Sequence, residues 1–242
     1  MFKLALDAGH CLGTPGKRCM KALDPNETRE WVLNARIADK VQQGLAGYDG
    51  IEILRVDDTT GKRDVSLAER VTKANEWGAD LYLSSHHNAG INGGDGGGTV
   101  AYSHPNAGAD TEAWRDELYE ALIEHTGLRG NRATPKAESD LYVLRKTAMC
   151  AVLLEHAFMD SRTDVPILLT ETFAQESANA IVEVVVRKAG LTTKKTQTGE
   201  PDAWAKDAWE RAKTAGVMDG TRPRDPMTRQ ELAQVLKNLG LT

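Results

Sequence analysis

The stretch FKLALDAGH, residues 2–10, is a short apolar run that ends in Asp-Ala-Gly and then a histidine. The run over 2–7 predicts a buried β-strand, and the residues that follow it predict a tight turn. His10 therefore stands at the tip of a strand. Because ligands gather at strand ends in layered α/β sheets, this histidine is a candidate site residue.

Strand-like and helix-like segments alternate from this stretch to about residue 190. The predicted strands span 2–7, 51–56, 80–89, 97–104 and 150–158. The predicted helices span 24–47, 66–79, 111–127 and 172–190, with Asp24 and Ser66 as the N-terminal caps of the first two. This alternation predicts an α/β fold in which a single mixed sheet is flanked by helices on both faces.

A polar stretch, GLTTKKTQTGEPD over 190–202, ends the alternating pattern and has the composition of a linker. About 40 residues follow it, and they predict two helices joined by a turn that contains Gly and Pro. We therefore predict a main domain over 1–190, a linker over 191–201 and a small C-terminal helical domain over 202–242.

The composition is typical of a soluble globular protein, with 40% hydrophobic and 27% charged residues among 242. A net charge of −5 gives no electrostatic reason to bind nucleic acid or an anionic membrane. The longest apolar runs fall short of the roughly 20 residues that a membrane span needs. An odd number of cysteines without a CxxC pair argues against a disulfide framework. The first residues lack the pattern of a signal peptide, so we expect synthesis in the cytoplasm without an export signal.

Three predicted strand ends carry unusual polar residues: His10, the pair His86–His87, and Glu155 within the apolar stretch AVLLEHAF. Each has an ordinary explanation, namely a loop histidine, a partly exposed pair, and a glutamate neutralised by Arg145. A divalent metal would explain the three positions together, because histidine nitrogens and one carboxylate are the ligands of catalytic zinc. The compact H-E-x-x-H signature of zinc peptidases is absent, so both explanations stay open at this point.

Four motifs in order resemble the Amidase_3 family of zinc-dependent N-acetylmuramoyl-L-alanine amidases. They are LALDAGH, ETREWVLNARIADKV, SLAERVTKANEWGADLYLSSHHNA and LYVLRKTAMCAVLLEHAFMD, over about residues 2–188. The resemblance implies a peptidoglycan hydrolase that cleaves the amide between the lactyl group of muramic acid and the L-alanine of the stem peptide.

The family motifs place zinc ligands on His10, Glu30 and His86, and the catalytic glutamate on Glu155. Glu27 is a rival to Glu30 on the same predicted helix, and we prefer Glu30 because Asn34 follows it at the family spacing. His87 is expected to neighbour the site without being a ligand.

The resemblance also implies a mechanism in which Glu155 takes a proton from a zinc-activated water and passes it to the departing nitrogen. Asp7 has two possible roles: it orients the His10 ring from behind, since ligating histidines usually donate their other N–H, or it is an ordinary turn carboxylate. His156 departs from the small or apolar residue that the family has after its glutamate, and the sequence assigns it no role. A thiol nucleophile made of Cys150 and His156 would lack a third orienting group, so we set it aside.

The tail over 204–240 is similar to one S-layer homology repeat, with Thr228, Arg229 and Glu231 on the T-R-x-E positions of that family. The repeat is shortened and single, which leaves three roles open: binding a secondary cell-wall polymer, self-association as a dimer, or packing as a helical hairpin. Nearly equal numbers of basic and acidic residues make nucleic-acid binding by this tail a poor hypothesis.

Three functions from different classes follow from these motifs. The first is a lytic amidase with a wall-targeting tail, as in a phage endolysin released through a holin or a bacterial autolysin of the same chemistry. The second is a zinc peptidase that acts within the stem peptide, and the third is a wall-binding module without activity. A complete predicted ligand set together with Glu155 argues against the third.

Overall fold

A computed structural model of the protein describes residues 1–194, 201, 203, 205–218 and 229–239. The chain divides into two compact units, Met1–Thr192 and Thr193–Thr242. Residues 195–200 of the predicted linker and Thr228 of the predicted wall-binding motif lie outside the described residues.

The first unit contains one six-stranded sheet, and two further short strands pair separately. In chain order the eight strands are β1 (Phe2–Ala8), β2 (Tyr48–Asp49), β3 (Ile51–Arg55), β4 (Leu81–Asn88), β5 (Val100–Ser103), β6 (Lys136–Glu138), β7 (Cys150–Phe158) and, at the boundary of the unit, β8 (Thr192–Thr193). The sheet order is β3-β1-β4-β7-β5-β6, and β2 and β8 are not part of it. Strands β3, β1, β4 and β7 are parallel, whereas β5 is antiparallel to β7 and parallel to β6. The prediction of a mixed sheet is confirmed.

Helices cover both faces of this sheet. They are α1 (Glu30–Leu45), α2 (Leu67–Trp77), α3 (Ala109–Thr126), α4 (Tyr142–Lys146), α5 (Val165–Leu168) and α6 (Glu171–Lys188). Alternate residues of each strand point to opposite faces. Leu83 and Leu154 therefore pack with α1, α3 and α6, whereas their neighbours Tyr82 and Leu153 pack with α2 and α4. The prediction of helices on both faces is confirmed.

The first helix begins later than predicted. Asp24 does not cap it, because its carboxylate accepts hydrogen bonds from the backbone N–H groups of Asn26 (3.1 Å) and Thr28 (2.7 Å) and closes a turn. Glu27 has a φ of 48°, which a helix cannot contain, and α1 begins at Glu30. The predicted cap of α2 is confirmed, since the Ser66 hydroxyl accepts from the Glu69 N–H at 3.2 Å.

The elements that the sequence pattern missed are short. Strand β6 has three residues, α4 has five and α5 has four, which is too few for a periodic pattern to develop. In the second unit, α7 (Lys206–Thr214) and α8 (Arg229–Asn238) agree with the two predicted helices. Within the described part of the chain, every helix is too short or too polar to cross a membrane.

Candidate metal centre and catalytic cleft

His10, Glu30 and His86 come together from three different elements. His10 follows β1, Glu30 is the first residue of α1, and His86 lies near the end of β4. Glu30 Oε1 is 3.3 Å from His10 Nε2 and 3.1 Å from His86 Nδ1, and one ligand atom of each residue lies within 4.8 Å of the others. Two imidazole nitrogens and one carboxylate oxygen are a donor set that suits zinc.

The parallel pairing of β1 with β4 brings the two histidines together. Ala8 lies beside Ser85 in the register, so the chain after β1 passes directly next to His86. The ring of His86 fills the space beside Gly9, where a Cβ atom would lie 2.0 Å from it. The tight turn itself is made by His10, whose φ is 68°. Gly9 is therefore needed for close approach to His86 and not for an unusual backbone angle.

Glu30 is completely buried at the start of α1, and its position is fixed by the chain that precedes the helix. Its backbone N–H donates to the Lys17 carbonyl at 3.0 Å, and the Lys17 ammonium lies 3.6 Å from Glu30 Oε2. Burial raises the pKa of Glu30, but hydrogen bonds and charge from His10 and His86 outweigh burial and lower it. Glu27 lies apart from this cluster and pairs with Arg18 (3.1 Å).

The electrostatics of His86 mirror those of Glu30. Burial by itself lowers the pKa of the His86 imidazole, whereas the hydrogen bond and the charge of Glu30 raise it, and the second influence is larger. Glu30 Oε2 has no hydrogen-bond partner among the described residues. The two imidazoles lie beside the other oxygen, Oε1, while Oε2 has only the Lys17 ammonium 3.6 Å away in the described part of the chain. Two imidazoles and a carboxylate gathered in this way fit a site that a divalent cation would complete.

Glu155 lies on β7 directly beside His86 in the strand register and lines the same cleft. Desolvation by its surroundings raises the pKa of Glu155 to about 7, and Oε2 has no hydrogen-bond partner among the described residues. Arg145 does not neutralise it, because that guanidinium binds Asp140 at 2.5 Å. An unpaired carboxyl group with a pKa near neutrality can accept and release protons.

Asp7 does not orient the His10 ring, so the first of its two possible roles is wrong. Its carboxylate accepts hydrogen bonds from Arg70, from the Tyr82 hydroxyl (3.0 Å) and from the Ser84 hydroxyl (2.7 Å). Burial raises the pKa of Asp7, and the charge of Arg70 with the bond from Ser84 lowers it further than burial raises it. Arg70 in turn donates to the backbone carbonyl of His10 at 3.0 Å. Asp7 therefore supports the turn around His10 through Arg70.

His87 and His156 lie on the opposite face of the sheet from His86 and Glu155. His87 Nδ1 is 2.8 Å from Asn34 Oδ1, and His156 Nε2 is 3.3 Å from the Ser85 hydroxyl. Burial lowers the pKa of His87 to about 3 and holds the pKa of His156 well below its usual range. Both imidazoles are therefore neutral near pH 7.

A cleft of about 600 Å³ opens beside the cluster. Its walls also include residues that the sequence did not single out: Lys17, Val65, Leu67, Arg70, Leu141, Tyr142 and Val143. The position of an arginine between Leu67, Val71 and Ala74 on the apolar face of the predicted helix 66–79 was a signal that could have identified Arg70. Lys17 and Tyr142 lie in a loop and in a five-residue helix, where sequence periodicity carries no information.

Residues 4–187 match the profile of the N-acetylmuramoyl-L-alanine amidase family Amidase_3. The chain is 31% identical over 192 residues to the N-acetylmuramoyl-L-alanine amidase CwlM of Bacillus licheniformis, covering 79% of this chain and 70% of that protein. It is 32% identical over 179 residues to the sporulation-specific N-acetylmuramoyl-L-alanine amidase of Bacillus subtilis (strain 168), covering 74% of this chain and 64% of that protein. It is 31% identical over 197 residues to the endolysin of Bacillus phage SPP1, with 80% and 69% covered. The aligned region thus spans about two thirds of these relatives.

Solved structures share the fold. The catalytic domain of CwlV, an amidase from Bacillus (Paenibacillus) polymyxa var. colistinus, superposes with a TM-score of 0.69 at 23% identity, covering 79% of this chain and all of that domain. The N-acetylmuramoyl-L-alanine amidase from Clostridium difficile 630 superposes with the same TM-score at 22% identity, covering 78% of this chain and 97% of that one.

Proposed function

The chain belongs to the Amidase_3 family of N-acetylmuramoyl-L-alanine amidases. On this premise we propose that it hydrolyses the amide bond between the lactyl group of N-acetylmuramic acid and the L-alanine of the peptidoglycan stem peptide, with the help of zinc. The observation that carries the proposal is the convergence of His10, Glu30 and His86 beside Glu155, whose Oε2 has no hydrogen-bond partner among the described residues.

His10, Glu30 and His86 would hold the zinc ion. Their two nitrogens and one oxygen would supply the three protein ligands that a catalytic zinc site has, and His10 and His86 line the cleft. When bound, zinc supplies Lewis-acid chemistry, which acidifies water and polarises a carbonyl group. The buried Arg70 holds the backbone of His10, so the turn that carries this ligand is supported before any metal binds.

Glu155 acts as the general base and then as the general acid. Its carboxylate accepts a proton from the attacking water and returns that proton to the nitrogen of the departing L-alanine. A pKa of about 7 suits both roles, because the group exchanges protons readily near neutral pH. The Lys17 ammonium lowers the pKa of Glu155 through its charge and so favours the ionised base.

The relatives include bacterial amidases and a phage endolysin, and we propose the lytic role of an endolysin. A bacterial autolysin of the same chemistry is the alternative. Both cut the same bond in the same substrate, so the biochemical test below applies to either.

Mass spectrometry of digested peptidoglycan tests the bond that is cut. Purified walls treated with the zinc-loaded protein should release intact stem peptides that begin with L-alanine, and glycan strands that keep their lactyl groups. Fragments that begin inside the stem would instead identify a zinc peptidase. Walls incubated with a Glu155→Gln variant are the matched control.

We also propose that hydrolysis resides in residues 1–190 and that residues 202–242 bind the cell wall. Two observations support this division: the family profile ends at residue 187, and the chain separates into compact units at Thr192 and Thr193. Arg229 and Glu231, two of the predicted motif residues, fall within α8.

Truncation tests the division. A chain of residues 1–192 should bind zinc and cut small soluble muropeptides at a rate close to that of the whole chain. It should lyse intact walls more slowly, because a tail that holds the enzyme on the polymer raises the local substrate concentration. Equal lysis of intact walls by both chains, with no sedimentation of a tagged 196–242 segment on purified walls, would contradict a wall-binding tail.

A further inference from the structure

A buried side-chain network connects all three elements that carry the proposed ligands, on the face of the sheet that α1, α3 and α6 cover, which we call the closed face. Its centre is Asn34 on α1, which is fully buried. The Asn34 amide nitrogen donates to the Gly9 carbonyl at 3.1 Å and lies 3.5 Å from Glu30 Oε1. The Asn34 amide oxygen is 2.8 Å from His87 Nδ1 on β4.

The Gly9 carbonyl determines which atoms of this network donate hydrogen bonds and which accept them. A carbonyl oxygen only accepts hydrogen bonds, so the Asn34 amide must present its NH₂ group to Gly9 and its oxygen to His87. That oxygen needs a donor, and His87 Nδ1 is the atom beside it. His87 therefore carries its proton on Nδ1, and its Nε2 has no partner among the described residues.

The opposite arrangement would work against the site. If His87 carried its proton on Nε2, its Nδ1 would become an acceptor and would favour a flipped Asn34 amide. The flipped amide would turn its oxygen toward the Gly9 carbonyl and the Glu30 carboxylate, and acceptors facing acceptors repel. The Nδ1 proton of His87 thus selects the Asn34 orientation that holds both Gly9, next to His10, and Glu30.

We propose that His87 is a positioning residue, which fixes the proposed metal centre by locking the orientation of the Asn34 amide through its Nδ1–H. The inference rests on the zinc site proposed above. Residues that hydrogen-bond to metal ligands typically contribute 10- to 100-fold to metal affinity. His87 also donates its backbone N–H to Glu30 Oε1 at 3.3 Å, a contact that side-chain substitution leaves in place.

Three substitutions of His87 separate its hydrogen bond from its bulk. In His87→Asn the amide nitrogen is attached to Cγ, as Nδ1 is in histidine, so this variant keeps a donor at the same position. His87→Leu keeps bulk without a donor, and His87→Gln moves the donor one bond further out. We expect zinc dissociation constants, measured by competition with a chromogenic chelator, to stay within about threefold for Asn and to rise about 10- to 100-fold for Leu and Gln.

His156→Leu is the matched control. His156 is as deeply buried on the same face, with its ring centre 5.6 Å from that of His87, but it bonds to Ser85 and not to Asn34. This variant should lose stability and keep its zinc affinity. A double variant His87→Leu/Asn34→Leu should bind zinc no more weakly than Asn34→Leu alone, because both substitutions remove the same support.

A measurement on the unaltered, metal-free chain needs no variant to fold. The ¹⁵N resonances of the imidazoles should show His87 with its proton on Nδ1, and a proton on Nε2 would overturn the inference. Zinc affinity in His87→Leu equal to that of the unaltered chain, or equal weakening in Asn and Leu, would overturn it while leaving the metal site intact. Failure of the unaltered chain to bind zinc would contradict the metal site and this inference together.

Discussion

Adjacent residues on β4 and β7 have opposite environments on the two faces of the sheet. His86 and Glu155 face the cleft, while His87 and His156, one residue later on each strand, are sealed beneath helices. The closed face lies under α1, α3 and α6, which have 16, 18 and 18 residues. Of the helices of the first unit, α2 and α4 pack on the open face, with 11 and five residues, and the cleft lies at the strand ends there.

This difference shows that the same residue type is reactive or inert according to the face on which the pleat places it. On the open face, His86 is held by a carboxylate and Glu155 has a pKa near 7. On the closed face, burial keeps both imidazoles neutral, and they can act only through their hydrogen bonds. Under the proposed function, the open face would supply the chemistry and the closed face the support.

Removing a proposed ligand from the open face should have the largest effect. His86→Ala leaves only His10 and Glu30 of the proposed ligand set, and two ligands do not provide the geometry of a catalytic zinc site. We expect loss of stoichiometric zinc, measured by elemental analysis after dialysis, and no detectable lysis. Retention of one zinc per chain would show that His86 is not a ligand.

The next largest effect should come from the base on the same face. The Glu155→Gln variant should keep its zinc and its native fold. Its kcat should fall by about 10²- to 10⁴-fold, because an amide cannot accept the proton of water. The matched variant is His156→Gln on the closed face, which should keep kcat within a few fold. Equal losses in both variants would mean that the two faces do not differ as described.

The buried ion pair beneath the open face should matter for stability. Asp7→Asn leaves the Arg70 guanidinium without its buried counter-charge, and the free energy of unfolding should fall by about 3–5 kcal/mol. Urea denaturation would measure it. A neighbouring pair, formed by Arg63 before α2 and Glu69 on α2, is exposed, and Glu69→Gln should change stability little. If Asp7→Asn also changed the free energy of unfolding only slightly, the Asp7–Arg70 pair would not be a support of the His10 turn.

The smallest effect should be a pH dependence that arises on the closed face. The folded-state pKa of His156 lies below its unfolded value of 6.5, so the unfolded chain binds the proton more readily as the pH falls. His156 should therefore make the chain less stable below about pH 6.5, by up to about 1.4 kcal/mol for each pH unit. His156→Leu should flatten the dependence of unfolding free energy on pH between 6.5 and 5, in chelator-treated protein.

His125, on α3, should contribute a pH dependence of stability with the opposite sign to that of His156. Hydrogen bonds from His125 to Glu183 and Glu176 raise the pKa of its imidazole. The stabilising contribution of His125 to the folded state is therefore complete below pH 6.5 and is lost as the pH rises through the folded pKa.

The prediction for His156 fails if His156→Leu leaves the dependence of unfolding free energy on pH unchanged, because that result would contradict the buried neutral state of His156.

Much of the layered fold was predictable because its elements are long or strongly patterned. The strand over 150–158 and the cap of α2 at Ser66 were predicted as they occur. The predicted start of α1 was wrong. The Asp24 carboxylate accepts hydrogen bonds within its own turn, and the positive φ of Glu27 is incompatible with a helix that begins at residue 24. No pattern in a single sequence distinguishes these two uses of an aspartate that precedes a helix.

The sequence alone determined the alternation of strands and helices, the position of His10 at a strand tip and the opposite facing of His86 and His87. These follow from periodicity, because neighbouring residues of a strand must point to opposite faces. The tertiary structure decided which carboxylate stands beside the two histidines, the partner of Asp7 and the network through Asn34. Asn34 contacts Gly9 and His87 across 25 and 53 positions, and Asp7 contacts Arg70 across 63. Only the packing of α1 and α2 against the parallel strands brings these residues within hydrogen-bond distance.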